Sequence, residues 1–506
     1  MNSGEKISAG CKIICCAGML FFYSCAFANP LLDTALVRSY GGKGMDVGRD
    51  IEYTADGGFI IAGTTGSFGS GNTAIYLLKV DSNGIFQWSK AIGGIGVEWG
   101  YSVKQTFDKG YAVAGYTNSA GNGGYDIYLV KTDSVGNTLW EKTYGGSNWD
   151  FGYCIQQTPD SGFVLCGETY SFGNGNADAF IVKTTKNGDT LWTRAIGSDS
   201  TDVAYSIIVY NDSTYCFTGK TNGAGSGGDD ILWGTINKQG AGITTKTFGS
   251  TFNDAGYCIE KTPDGGTVIM GETDSSSFNN QEELIMKIRS DQTLEWIHCD
   301  ASNSTDIGRA VKVRSNGGFI TCGISNASGS GGFGLHMQRL NSGGWWESGP
   351  VFGGALDEEG YAVVITPTNE VAFVGSTYSY GQGLQDVYFV KLKSDSIVMN
   401  YKLDVIQFND TTLSPLAVQE YGTKQNVRIY PNPFSESAAL VIENWRGLNI
   451  KSADLRIYDV LGREVQRSEI KNRQSEISRK NLENGVYFFR IVTSREIIAE
   501  GKFVIH

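Results

Sequence analysis

Histidine is almost missing from this chain: three in 506 residues, at His298, His336 and His506. His298 and His336 are far apart in sequence and His506 is terminal, so a histidine-based triad or zinc site has no evident partners. No H-E-x-x-H, G-x-S-x-G or P-loop pattern occurs, which removes the common signatures of zinc peptidases, nucleophile-elbow hydrolases and nucleotide-binding loops. Positive charge is also short. Forty-one Lys and Arg stand against 53 Asp and Glu, a formal net charge of −12, and this argues against a nucleic-acid partner. After residue 28 there is no apolar run long enough to span a bilayer. Asp81–Gly84 and Asp133–Gly136 resemble calcium loops only superficially. They lack the alternating aspartates and the distal Glu, and read as hairpin turns.

Cysteine is sparse once the leader is set aside. Residues 1–28 have the form of a secretory signal: Lys6 and Lys12, an apolar run from Ile13 to Phe27, and Ala26-Phe27-Ala28 as a small-x-small cleavage site. A transmembrane anchor is disfavoured because the run is short. A lipoprotein signal is disfavoured because bulky Tyr23 precedes Ser24-Cys25. Four of ten cysteines leave with this segment. Cys154, Cys166, Cys216, Cys258, Cys299 and Cys322 remain, with no C-x-x-C pair among them. Most read as small core residues. Cys154 and Cys166 flank one predicted turn and can face each other across it, where export would permit a disulfide.

What is abundant is glycine, 68 residues, with 12% aromatics. That combination fits many short strands joined by tight turns. The stretch Asp56-Gly57-Gly58-Phe59-Ile60-Ile61-Ala62-Gly63 returns six more times in phase. Its closing glycine falls at Gly63, Gly115, Gly167, Gly219, Gly271, Gly323 and Gly375, always 52 residues apart. In the third copy, Gly152–Thr158 is β-rich, Pro159–Gly162 is a turn, and Phe163–Gly167 is apolar throughout. A polar loop follows, then Asp178–Lys183, a turn at Lys186–Gly188, and alternating Thr190–Ile196. Four antiparallel strands per repeat predict a β-propeller blade. Seven blades span about residues 41–400. Trp88, Trp140, Trp192 and Trp296 recur in the outer strand, and Lys79, Lys131, Lys183, Lys287 and Lys391 end the third.

The chain starts out of phase. Thr34–Gly42 matches Thr138–Gly146, so it is a fourth strand that precedes its own blade. The simplest explanation is ring closure onto the blade that begins near Glu358, because closure removes open edges. Ile397–Leu403 is the competing closing strand, and an open solenoid is the alternative to any ring. The unit resembles the bacterial SBBP propeller repeat, through Tyr144-Gly145-Gly146, Asp150, Gly152, Gly167 and Asp178–Lys183. The third-strand segments from Asp230 and from Gly334 depart from that pattern. The resemblance implies a fold and no single activity.

Beyond residue 403 the period stops. Residues 404–425 read as a linker, and 426–506 as alternating strands of a small β-sandwich. The chain thus divides into a signal (1–28), a propeller (29–403), the linker and this sandwich. Its blocks are Tyr430-Pro431-Asn432-Pro433-Phe434, then Tyr458-Asp459 with Gly462, then Gly485 and Tyr487, then Gly501-Lys502. In this order at the chain end they resemble the type A sorting domain of the type IX secretion system. That resemblance implies an immunoglobulin-like sandwich, the secretion machinery as partner, a Bacteroidetes-type source, and passage through the periplasm to the outer-membrane surface or the medium. An ordinary carbohydrate-binding sandwich is the alternative.

Two sets of residues are candidates for function in the propeller. Asp46, Glu98, Asp150, Asp202, Asp254, Asp306 and Glu358 share one repeat position and predict a ring of carboxylates. They could bind calcium, but recurrence in every blade favours a structural role, each accepting backbone N–H bonds in its own inter-blade loop. The long loops carry Phe68, Trp99, Trp149, Tyr170, Phe172, Tyr378 and Tyr380 among Ser, Asn and Gly, a composition suited to sugars or protein partners. Local packing of these rings is the plainer reading. Blades five and six deviate most, at Ser275–Glu283 and at Leu335–Pro350 with Trp345-Trp346. The leading expectation is a non-enzymatic exported binding module for glycan or protein. The alternatives are a propeller glycan hydrolase or lyase and a structural adhesion element.

Overall fold

The computed structural model describes residues 34–274, 280–299, 304–327, 332–393, 402–409, 427–430, 435–442, 452–459, 463–472, 474–480, 482–493 and 497–505. The leader, residues 410–426, Pro431, Asn432, Pro433, Phe434 and Gly462 lie outside them. Every regular element among the described residues is a strand.

Strand character follows burial. In blade one, Phe59–Thr65 and Ala74–Val80 are buried at every position, whereas the outer Phe86–Ile92 is mostly half-exposed. Inner strands sandwiched between neighbouring blades tolerate no polar face, and outer strands meet water. The turn before Phe59 is built by Asp56. Its carboxylate accepts the Thr54 hydroxyl (2.5 Å) and the Gly58 N–H (3.1 Å), and Gly57 sits at φ +86°, a conformation that favours glycine. Buried Lys79, ending the third strand, reaches back to Asp56 at 3.1 Å. Lys131–Asp108, Lys183–Asp160 and Lys287–Asp264 repeat the clamp.

Seven sheets of this kind form: residues 46–92, 98–144, 150–196, 202–248, 254–299, 306–352, and a last one from Glu358–Ile365, Val371–Thr377 and Asp386–Leu392. The first strand of each sheet touches that of the next, and the seventh touches the first, so the ring is closed. The protein is an all-β, seven-bladed propeller followed by a small β domain. Thr34–Gly41 supplies the fourth strand of blade seven, antiparallel to Asp386–Leu392. Tyr40 donates to Gly84 O at 2.6 Å, as Tyr144 does to Gly188 O. The early strand therefore holds blade one as Tyr144 holds blade three.

The recurrent tryptophans are the knobs between blades. Trp88 packs on Tyr111, Trp140 on Phe163, Trp192 on Tyr215 and Trp296 on Phe319, at 5.8–6.4 Å. Each partner is the first or second residue of the second strand of the following blade.

Some details differ from the sequence reading. Residues 404–409, assigned to the linker, lie in a strand, Lys402–Asn409, which pairs in parallel with Thr34–Gly41 and covers its outer edge. Residues 397–401 of the competing closing strand are outside the described residues. The irregular third-strand segments are full strands, Asp230–Asn237 and Gly334–Leu340. In the first, a Cβ at Gly234 would lie 2.4 Å from the Phe217 ring, so the missing side chain makes room for a neighbour. The outer strand of blade six is split into Trp346–Ser348 and Val351–Phe352 around Gly349-Pro350, because proline cannot donate to the ladder.

The C-terminal β domain has a three-stranded sheet (Val427–Tyr430, Ser437–Ile442, Gln474–Ser478) and a four-stranded one (Ala453–Tyr458, Glu464–Ile470, Gly485–Val492, Ile497–Ile505). Leu440, Ile442 and Ile477 of one meet Leu455, Ile457, Phe489 and Phe503 of the other in a single core. Tyr430 ends an edge strand, opposite Ala439. Asp459 accepts the Arg463 N–H at 3.0 Å. Tyr487 is buried and donates to Glu483 O at 2.9 Å. Gly501 and Lys502 lie in the last strand, opposite Phe489 and Phe488.

Candidate functional site

The invariant glycine decides where the channel-lining side chains point. A Cβ on any of the seven closing glycines would stand 1.7–2.1 Å from a carbonyl oxygen of the blade's first strand. That carbonyl comes so close because the first strand is bulged. Its register with the second strand skips one residue in every blade, between Gly48 and Asp50 in blade one and at the same place in the other six. The skipped residues are Arg49, Tyr101, Tyr153, Tyr205, Tyr257, Arg309 and Tyr361. A bulge re-aims its extra residue, and here the seven re-aimed side chains form a ring.

Contacts join six of the seven neighbouring pairs of the ring. Tyr101–Tyr153, Tyr153–Tyr205 and Tyr205–Tyr257 have centroids 5.2–5.4 Å apart. Arg309 lies 4.4 Å over Tyr257, and Arg49 lies 4.0 Å over Tyr361 and 5.6 Å over Tyr101. All seven are half-buried. Three glutamates serve this ring, Glu168 and Glu272 at one repeat position and Glu359 at another. Glu168 accepts the Tyr153 hydroxyl and Glu272 the Tyr257 hydroxyl, both at 2.5 Å, and Glu359 accepts that of Tyr361. Burial and the adjoining carboxylate push the Tyr153 phenol well up, burial raises the Glu168 carboxyl, and burial lifts Tyr361 to about 12.

Further along the first strands the channel carries opposed charges. Lys104 stands 3.5 Å from Asp50, and Lys312 pairs with Glu260. Burial would lower the Lys104 ammonium, but Asp50 and Glu52 more than offset it and raise its pKa. Cys154 and Cys166 are direct cross-strand partners and free thiols. A hydrogen bond between them brings the Cys154 thiol down to about 7.

An aromatic surface runs outward from the ring on the long-loop side. Trp99 stacks on Tyr116 (6.2 Å), Tyr116 meets Phe151 edge-on (4.8 Å), and Phe151 meets Tyr170 (6.4 Å), which meets Trp149 (6.2 Å). Trp149 is 53% and Tyr170 40% exposed. Ser147, Asn148, Trp149, Tyr170, Gly175 and Asn176 line an open cleft of about 640 Å³. Asn148 is steadied by donating to Tyr170 O at 2.9 Å.

The expected site residues thus separate. Trp99, Trp149 and Tyr170 come together. Phe172 stacks on Phe180 at 5.5 Å in its own blade, and Tyr378 is exposed on blade seven. Trp345 and Trp346 are at the other end of the ring. They follow the turn between the third and fourth strands of blade six, and antiparallel alternation puts that turn opposite the long loops. Trp345 packs on His298 at 4.1 Å, which stacks on Trp296.

The ring carboxylates are all buried. Asp46, Glu98, Asp150, Asp202, Asp254 and Glu358 each accept an N–H from four residues earlier, at 2.7–3.0 Å. Asp306 takes the Ser304 hydroxyl at 2.6 Å. Among the described residues no three His, Cys, Asp or Glu side chains group as a metal-ligand set.

The sequence reading passed over the bulge residues. Their signal is in the repeat: three positions after each opening acid stands Tyr or Arg in every copy.

Fold and C-terminal domain together define an exported propeller with a sorting tail. Residues 428–506 match the secretion system C-terminal sorting domain family, and this tail addresses the chain through the type IX secretion system to the cell surface or the medium. No curated protein matches the chain. Among solved structures it is similar to PorZ, described as a surface component of the type IX secretion system of Porphyromonas gingivalis. Identity there is 11%, TM-score 0.40, covering 90% of this chain and 59% of PorZ. It is also similar to the extracellular domain of a two-component system from B. thetaiotaomicron, at 11% identity and TM-score 0.41, covering 91% of this chain and 57% of that one. A third is YCF48 bound to D1 peptide, at 9% and 0.42, covering 73% and 100%. The chain thus spans less than two thirds of the length of PorZ and of the two-component system's extracellular domain.

Proposed function

We propose that the propeller is a binding module for glycans at or beyond the cell surface, with the long-loop side of blades two and three as its binding face. One observation supports this above others: the unbroken aromatic surface from exposed Trp149 and Tyr170 to the channel mouth. Flat rings stack on the C–H faces of sugars, and Ser147, Asn148 and Asn176 beside them offer donors and acceptors for hydroxyls. The opening acids act as loop braces in this reading, and calcium has no required part.

The test is a glycan array probed with the exported full chain, with and without calcium. Binding is expected in both conditions, and Trp149→Ala should weaken it about tenfold, the loss of roughly 1.4 kcal/mol of stacking. A blank array would reject the glycan reading and turn attention to a protein partner.

A second reading, a glycan-cleaving enzyme, draws support from Glu168, Glu272 and Glu359, acids that stand beside tyrosines at the mouth. New reducing ends from an array hit would favour it. Intact ligand would favour binding alone.

A further inference from the structure

Arg49 and Arg309 break the tyrosine pattern of the ring. They occupy blades one and six and so flank Tyr361 of blade seven. Neither forms an ion pair among the described residues, and the Nε of each is buried without an acceptor. The other charged groups around the mouth are engaged. Lys220 pairs with Asp229 at 2.7 Å, and Glu168, Glu272 and Glu359 take the tyrosine hydroxyls. Glu359 is the acid next to the two arginines along blade seven, yet it binds the Tyr361 hydroxyl and makes no ion pair with either. A guanidinium stacked on an aromatic face keeps its edge donors for a planar acceptor.

We propose that this mouth reads a carboxylate-bearing sugar, of the uronic- or sialic-acid type. Arg49 and Arg309 take its carboxylate, and the aromatic surface from Trp99 to Trp149 carries the neighbouring sugar rings. The inference rests on the glycan reading above and adds the chemical class. Guanidinium to carboxylate is a charge-assisted, commonly bidentate contact, stronger in a half-buried site than in open water. A tyrosine in the same places would donate one neutral hydrogen bond.

The test uses the full chain and matched pairs of oligosaccharides, each acid-bearing glycan beside its carboxyl-reduced counterpart. The native protein should bind the acidic member at least about tenfold more tightly. Arg49→Gln and Arg309→Gln should each erase that preference, weakening the acidic member far more than the reduced one. Trp149→Ala should weaken both members alike. If the arginine variants do not fold, salt provides the check on the native protein: raising ionic strength should weaken the acidic member only. Equal binding of both members would overturn the carboxylate inference and leave the glycan reading standing. Binding of neither would overturn both.

Discussion

At the scale of single residues, the buried lysine at the end of the third strand depends on a partner in a turn. Lys183 is 1% exposed. Its ammonium donates to Asp160 at 3.0 Å and to Thr184 O at 2.9 Å. Asp160 is largely exposed, so the two deletions are not equivalent. Asp160→Ala leaves an ammonium in the interior with one carbonyl, and should destabilise the protein by about 2 kcal/mol. Lys183→Met leaves a carboxylate that water can solvate and fills the cavity with a similar volume, so its effect should be smaller. The double variant should be closer to native than the sum of the two. Thermal unfolding of all four proteins measures this, and additive shifts would show that the clamp contributes nothing as a pair.

At the scale of elements, the closing glycine and the bulge are one device. Gly167 faces the carbonyl of Phe151, and a Cβ there would lie 1.8 Å away. Gly167→Ala must push the first strand inward or undo the bulge, at a cost of about 2–4 kcal/mol. It should also displace Tyr153 from between Tyr101 and Tyr205. Unfolding and binding assays on this variant should therefore both change. An alanine variant as stable as the native protein would show that the bulge yields easily. The glycine period was legible in the sequence because it repeats at fixed spacing, and so were the blades, the tryptophan knobs and the early strand. The ring was not, because a bulge inverts the alternation that strand reading relies on. Tyr101 and Tyr153 look like unremarkable strand aromatics until the skipped register is known. The separation of Trp345 from Trp149 was hidden for a related reason: aromatic content marks a loop as sticky but does not say at which end of the ring the loop emerges. Residues 404–409 read as linker because their partner, Thr34–Gly41, lies more than 360 residues earlier, and a single outer strand shows no repeat.

At the scale of the whole molecule, the blade junctions set how stability depends on pH. At four junctions a carboxylate opening a third strand stands near the opening acid of the next blade: Asp126 with Asp150, Asp178 with Asp202, Asp230 with Asp254, and Asp386 with Asp46 where the ring closes. Burial first, and the neighbouring acid besides, raises Asp126, Asp178 and Asp230 and brings Asp386 to about 6. Such a group holds its proton more tightly folded than unfolded. Its protonation therefore stabilises the fold as pH drops from above the folded value towards the unfolded value near 4. The turn aspartates act in the opposite sense. A hydrogen bond from Lys287 holds Asp264 at about 2, and Asp56, Asp108 and Asp160 are also lowered, their hydrogen bonds and lysines outweighing burial. Their contribution is complete above about pH 4 and is lost below it. The melting temperature should accordingly rise from pH 7.5 to about pH 5 and fall below about pH 3.5. Asp386→Asn keeps an acceptor for Gln382 and Gly383 but carries no charge to oppose Asp46. It should raise the melting temperature at pH 7 and flatten the rise towards pH 5. A native profile that declines steadily on acidification from neutrality would mean that the junction carboxylates are solvated, and that the ring is held by its apolar interfaces and lysine clamps alone.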